Sequence, residues 1–532
     1  MKRVEPLPLP TRVIDVGPHD NSCQPRLLIT NGKRGSWVAL SHCWGKSALQ
    51  PPKTTKENLR KRLEQIHLDD LPKSFRDAVV VTRALHVRYL WIDSLCIVQD
   101  DLADWRRECE NMGLIYRDSL ITIGAADATD SSEGFFSNTT TLSYGRLRKA
   151  RETFQGRTYW RPDDQDQFAE QWDGPVGEGI PAVIEAIEMP YHVSGNGGSF
   201  YISPKDEFDV QPMESPLFKR GWVTQEWVLS RRTILFLKDA VVWACREVSE
   251  DERGNPVKLE RPTIIDWQSL IEAYTRSRLT YESDRLAAIR GLAYSLQKVR
   301  SDTYFAGLWA GDLPEALLWI KPAQCTISEK FSHLPSWTWA RTTGPVGFQL
   351  KMRPRGSLAN SLLEKICTLI TVEPSGCLEI VGLMKQVENM VDFTYKQNMD
   401  EMNDAEFDLK EMDACFMKRC FQGQSNCRQS AFGSLYRKGL SIILKINGTR
   451  VGWAAWDIGR APDGHVYCLG LKLEHSCMRP ILAIEKSVTD AYHVLFLQKE
   501  PLSITRFVRV GVGVIMKDDW FESALLCTIL LV

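Results

Sequence analysis

At 532 residues the chain is too long for a single hydrophobic core, and two or three domains are expected. Hydrophobic residues make up 43% and charged residues 25%, the proportions of an ordinary globular protein. A net charge of −1 without a Lys/Arg tract argues against a broad basic footprint for nucleic acid or an anionic membrane.

In chain order, residues 1–36 read as an extended, Pro-rich N-terminal arm with no apolar signal-peptide core. Trp37 to Ser41 is a short strand ending at the polar turn His42-Cys43-Trp44-Gly45, and a helix is expected over Thr54–Gln65. Leu71-Pro72-Lys73-Ser74 reads as a helix entry with Ser74 as N-cap, followed by Phe75, Val79, Thr82 and Leu85 at helical spacing. Tyr89 to Ile92 is a strand ending at Asp93. Leu102 to Tyr116 is a helix with Trp105, Cys109, Met112 and Tyr116 on one face, led by acidic residues that suit its dipole. Leu120 to Ala126 is a third strand. Strand, helix and strand in alternation predict parallel pairing.

Residues 127–215 lack periodicity and read as a long insertion. Gly221 to Ser230 opens a helix, and two strands follow at 233–236 and 240–243. Amphipathic helices are expected at 264–276, 283–298 and, shorter, 313–320. From 366 onward the pattern alternates as β-strand does. The fourteen Cys include no CxxC pair; the nearest grouping, Cys415, Cys420 and Cys427, has no neighbouring His, so no metal is assigned. The apolar runs near 507–516 and 524–532 fall short of the ~20 residues that span a bilayer. A cytoplasmic protein with reduced thiols, no membrane span and no nucleic-acid partner is the expectation.

Three segments, WVALSHCWG at 37–45, YLWIDSLCIVQDD at 89–101 and RGWVTQEWVLSRR at 220–232, couple β-type runs or turns to polar clusters. They closely resemble the signature blocks of the fungal heterokaryon-incompatibility (HET) domain. The family's ALSYxWG block is matched by Ala39 to Gly45, with His42 where Tyr is usual. Its LP…DA…WIDSLCI…QDD…DW run is matched from Leu71 to Tyr116, and its RGWxxQExxLSxR block at 220–231. Leu279-Thr280, Asp284-Arg285-Leu286, Pro335 to Ala340 and Arg509 to Gly513 are similar to the C-terminal region of such proteins.

The resemblance implies a role in the fungal cell-death response to non-self fusion, and a distant likeness to TIR domains, several of which cleave NAD. It implies a TIR-like or flavodoxin-like parallel sheet of α/β class at 37–245, interrupted by the 127–215 insertion. The region 246–532 is then a helical linker and a β-rich C-terminal part. As in TIR sequences, a Trp precedes a Glu by four residues: Trp222 and Glu226, one helical turn apart. Glu226 is the candidate catalytic carboxylate of an NAD glycohydrolase. Ser41, His42, Trp44, Asp93 and Trp222 are candidate substrate-binding residues, expected to gather at strand carboxyl ends. No cofactor is implied; NAD is a candidate substrate. Weighed against this, Glu226 reads as a helix-start acid or a partner for Arg231, and Cys43 and Cys96 as structural. The alternative is a non-catalytic interaction module, with a second copy of the chain or other death-pathway proteins as partners.

Overall fold

A computed structural model of the chain describes residues 6–45, 50–136, 187–202, 211–321, 325–348, 363–372, 376–392, 440–444, 450–477, 489–515 and 519–532, apart from 21, 194–195, 239, 253, 260 and 459. The Cys415, Cys420 and Cys427 grouping and most of the 127–215 insertion lie outside the described residues. Two compact units are present. The first comprises Met1–Glu108, Leu114–Phe218 and Leu229–Glu260; the second comprises Cys109–Gly113, Lys219–Val228 and Arg261–Val532.

The first unit is built on an eight-stranded sheet of β1 (Arg12–Asp15), β2 (Arg26–Ile29), β3 (Trp37–Ser41), β4 (Tyr89–Trp91), β5 (Ile121–Ala125), β6 (Arg232–Phe236), β7 (Val241–Cys245) and β8 (Ser249–Asp251). Its order is β8-β7-β6-β5-β3-β4-β1-β2. The four central strands, β4-β3-β5-β6, pair in parallel, with Val38 opposite Leu90 on one side and Ile121 on the other. All residues of β3 and β5 are buried, the continuous burial of strands covered on both faces. By contrast β6 and β7 alternate buried and half-buried positions and pair antiparallel across a short turn.

The sheet is therefore mixed rather than parallel throughout, because antiparallel strands extend both ends. On one side the extended segment ahead of Trp37 supplies β1 and β2. Each end of β1 carries a buried charge that finds a partner: Arg12 reaches Asp104, and Asp15 reaches Arg88. Such pairing lets a short, charged strand occupy the interior.

Helix α1 (Lys73–Ala84) starts two residues earlier than the sequence suggests. Pro72, at φ −63°, holds the N-cap position, and Ser74 lies inside the helix, fully buried. A Pro has no N–H to leave unsatisfied and its ring fixes a helix-compatible φ, so it displaces the serine cap. Helix α2 (Asp93–Cys96) is a single turn, and α3 (Leu102–Asp118) is the long helix expected from the sequence. Asp101 caps α3, its side chain accepting from the N–H groups of Ala103 and Asp104. The helix expected over Thr54–Gln65 is confined to Leu59–Glu64.

In the second unit, helices α5 (Trp267–Thr275) and α6 (Ala287–Arg300) follow α4 (Val223–Leu229). The helix expected at 313–320 is replaced by single 3₁₀ turns at Ala310–Asp312 and Glu315–Leu317 and a strand pair at Trp319–Ile320. Leu317, Leu318, Trp319 and Ile320 are all buried, so this run is core on every side, not amphipathic. Short apolar runs do not distinguish these cases.

The rest is β-structure, as its alternation predicts. Leu378–Gln386 pairs with both Tyr467–Cys477 and Leu525–Leu531; Thr489–Lys499 pairs with Tyr467–Cys477 and Arg506–Ile515; and Arg506–Ile515 meets Leu525–Leu531 in parallel. Those five strands close on one another, and further strands continue the sheet outward to Asn389–Asp392. Their core includes Trp456, Phe496, Ile515 and Trp520. Arg509, buried at 4% exposure, pairs with Asp457 and donates to the carbonyls of Leu317 and Trp319. Ser336 of the Pro335–Ala340 segment donates its N–H to the Val532 carbonyl, tying the last strand to that segment.

Candidate functional site

Parallel pairing of β3 and β4 brings the turns that follow them side by side. Ser41 is the last residue of β3, opposite Gly124 of β5, and His42, Cys43 and Trp44 turn away from it to Gly45. Gly45 adopts φ +79°, a left-handed conformation that favours glycine. Asp93 follows β4 at the start of α2.

Trp44 Nε1 donates to Asp93 Oδ2 at 2.8 Å. The other carboxylate oxygen accepts from the Ser94 N–H at 2.7 Å and lies 3.9 Å from His42 Nδ1. His42 is buried, with its ring edge-to-face on Phe75 at 5.0 Å. A ring at this position is thus used for packing while its nitrogen faces the carboxylate, a combination that accommodates His in place of Tyr. Ser41 and His42 are buried; Trp44 is half-buried and the Asp93 side chain is 17% exposed. From solvent, Trp44 and Asp93 are the members of this group that can be reached.

Lys53, not singled out in the sequence, and Gln99 of the QDD stretch complete the group. Lys53 Nζ stands 5.2 Å from the centroid of the Trp44 ring, a cation–π arrangement. Gln99 donates to the Asp93 carbonyl at 3.1 Å, and its own N–H reaches the Thr54 carbonyl at 2.8 Å. The only sequence signal for Lys53 is its place in the polar stretch after the turn, which fixes no geometry. Asp100 accepts from the Lys56 N–H, and Asp101 caps α3 and pairs with Lys56 at 3.3 Å. Among the described residues no group of His, Cys, Asp or Glu side chains is arranged to hold a metal. Burial pushes the Cys96 thiol up to about 12, so it is not a thiolate nucleophile at neutral pH.

The third segment is described within the second unit up to Val228. The Gly221 N–H donates to the Arg278 carbonyl and the Arg278 N–H to the Lys219 carbonyl, both at 2.7 Å. A Cβ on Gly221 would fall 2.6 Å from the Leu279 side chain, which would have to shift to admit it. Trp222 Nε1 then donates to Asp284 Oδ2 at 3.2 Å. The RGW motif is in this way fastened to the Leu279–Leu286 motif. Glu226 occupies the first turn of α4 and is buried at 3% exposure. Gln225 beside it is fully buried, and its amide has no hydrogen-bond partner among the described residues.

Ser230, after α4, belongs to the first unit. Its hydroxyl bonds Thr122 Oγ1 of β5 at 2.7 Å, which gives the motif serine a structural use, and Arg231 reaches Asp118 at 3.5 Å. Ser41, His42, Trp44 and Asp93 therefore lie in the first unit, and Trp222 and Glu226 in the second. No described helix is long and apolar enough to cross a membrane.

Residues 37–226 match the family model described as Heterokaryon incompatibility protein (HET). No curated protein and no solved structure matches the chain.

Proposed function

This chain carries a heterokaryon-incompatibility (HET) domain over residues 37–226, and from that premise we propose that it is an effector of fungal cell death that hydrolyses NAD in a TIR-like manner. The observation that carries this reading is the order of the parallel strands, β4-β3-β5-β6. Counted from β3, that order is 2-1-3-4, the beginning of a flavodoxin-like sheet. Ligands of such sheets gather outside the strand carboxyl ends, at the point where the order reverses. Ser41 ends and His42 follows the first of these strands, and Asp93 follows the second. The Trp44–Asp93 hydrogen bond holds two of these side chains in fixed orientation before any substrate arrives.

In this reading Ser41, His42, Trp44, Asp93 and Trp222 bind the nucleotide, with aromatic rings available for stacking. Glu226 is the catalytic carboxylate. The nicotinamide–ribose C–N bond breaks with its electron pair leaving on nicotinamide, and the ribose carbon becomes oxocarbenium-like. The Glu226 negative charge stabilises that carbon. Water then adds its oxygen to the carbon and releases a proton, giving ADP-ribose. A fixed carboxylate in a site shielded from water provides such stabilisation without a metal. The setting is the cytoplasm, and the partners are a second copy of the chain or other proteins of the death pathway.

The reading is tested in cells. Over-expressed wild type should lower cellular NAD and kill, whereas a folded Glu226→Gln variant, alike in shape but without the charge, should do neither. Killing by folded Glu226→Gln with NAD unchanged would instead establish the interaction module.

A further inference from the structure

The Leu279–Leu286 segment lines a cavity of about 580 Å³ within the second unit, closed on its other side by residues 330–340. That volume is in the range of small-molecule sites. Leu279, Leu286, Phe331 and Leu334 supply apolar wall, Arg285 and Lys330 supply cations, and the exposed Glu282 stands at the same wall.

Arg285 is the unusual member. It is 8% exposed, yet no carboxylate among the described residues stands within ion-pair distance of its guanidinium. Nη2 donates to Thr342 Oγ1 at 3.2 Å and to the Gly344 carbonyl, and the guanidinium lies 5.5 Å from the Trp339 ring centroid. Nε and Nη1 have no acceptor among the described residues. The carboxylate next in sequence, Asp284, is engaged by Trp222, and Glu282 acts on Arg285 only from beyond contact distance. An arginine cannot shed its proton to escape burial, so a buried guanidinium needs a counter-charge or several hydrogen-bond acceptors. Here the buried Nε lacks both. Lys330, exposed on the facing segment, adds a second positive charge to the same cavity.

We propose that this cavity binds a small oxyanion, phosphate or carboxylate, carried on an apolar body, with Arg285 as the buried anchor and Lys330 as the second cation. The oxyanion supplies the acceptors that Arg285 lacks, and the leucines and Phe331 cover the apolar body. This site is independent of the NAD reading, since none of its residues is assigned there.

Isothermal titration of the full chain at low salt, with phenyl phosphate, phenylacetate and uncharged benzyl alcohol as probes, tests the proposal. At least one anion should bind with a dissociation constant below about 1 mM. Binding of one anion alone identifies the preferred headgroup, and benzyl alcohol should bind at least tenfold more weakly. Lys330→Glu, at an exposed position that leaves folding intact, should weaken the anion at least tenfold, and Arg285→Gln should abolish binding if it folds. No anion bound by folded wild type at about 10 mM would overturn the proposal. So would equal affinity for benzyl alcohol, or undiminished anion affinity in Lys330→Glu.

Discussion

Trp44 Nε1 and Asp93 Oδ2 are 2.8 Å apart, so the turn after β3 is fixed to the turn after β4 by one indole-to-carboxylate hydrogen bond. Trp44→Phe keeps a ring beside Lys53 but removes the donor. The variant should lose about 1–2 kcal/mol locally, as expected for a hydrogen bond to a charged acceptor that water can partly replace. Hydrogen exchange resolved to the peptides covering 37–45 and 89–97 reads this directly. Faster exchange there, with the β-rich C-terminal strands unchanged, is the expected outcome.

Trp91 has no exposed surface, and its ring stands edge-to-face on Tyr116 at 5.6 Å; the Tyr116 hydroxyl in turn donates to the Leu40 carbonyl. Trp91→Ala should destabilise the first unit by ~3–5 kcal/mol, as a large-to-small change in a packed core. A melting temperature within experimental scatter of wild type would show that Trp91 does not hold this core together.

Two acids on α3 beside Arg12 should respond oppositely to pH. Burial pushes the Asp104 carboxyl up, but the Arg12 guanidinium and the Val98 N–H outweigh it and hold the group below the usual range. Its stabilising contribution is therefore present above the ordinary Asp value of ~3.9 and is lost as pH falls through the lower folded value. Burial instead raises the Glu108 carboxyl. Its contribution is present below the ordinary Glu value and is lost as pH rises through the folded one. Asp104→Asn should lower the melting temperature at pH 7, with the difference from wild type shrinking below pH ~4. Glu108→Gln should match or exceed wild type at pH 7. Thermal melts of both variants across pH 3–8 check the two signs.

Gly291 allows α6 to approach the middle of α3 closely. A Cβ there would meet Gly113 Cα at 2.9 Å, Gly113 N at 3.1 Å and Gln225 Oε1 at 2.7 Å. The glutamine could rotate, but the backbone atoms cannot move aside alone. Gly291→Ala should therefore cost about 1–2 kcal/mol, after the higher helix propensity of alanine offsets part of the overpacking. An alanine variant more stable than wild type in a denaturant series would show that the helices can separate without penalty.

The central strands were legible because β3, β4 and β5 are apolar runs bounded by polar turns, and α3 because its apolar face and leading acids agree. The polar turn after β3 and Asp93 after β4 were legible for the same reason, since parallel strands place their ends together. The antiparallel additions were not. In β1 the ends are Arg12 and Asp15, whose burial depends on Asp104 and Arg88, partners 92 and 73 residues away. Among prolines such a strand has no local signature. The Ser74 cap was misread because Pro72 can fill the same position. Lys53 and Gln99 joined the site through tertiary placement alone, and the cavity at Arg285 exists only because residues 330–340 fold over a motif some fifty residues earlier.

The central claim is that Glu226 carries the charge that assists cleavage of NAD. Purified wild-type chain and Glu226→Gln, matched for folding by circular dichroism, should be incubated with NAD while nicotinamide and ADP-ribose are quantified by chromatography. The account predicts stoichiometric release of both products by wild type, and a rate for Glu226→Gln lower by ~10²–10³-fold, the loss typical of removing one transition-state electrostatic group. Equal rates for the two proteins, or no nicotinamide released by folded wild type, would contradict it.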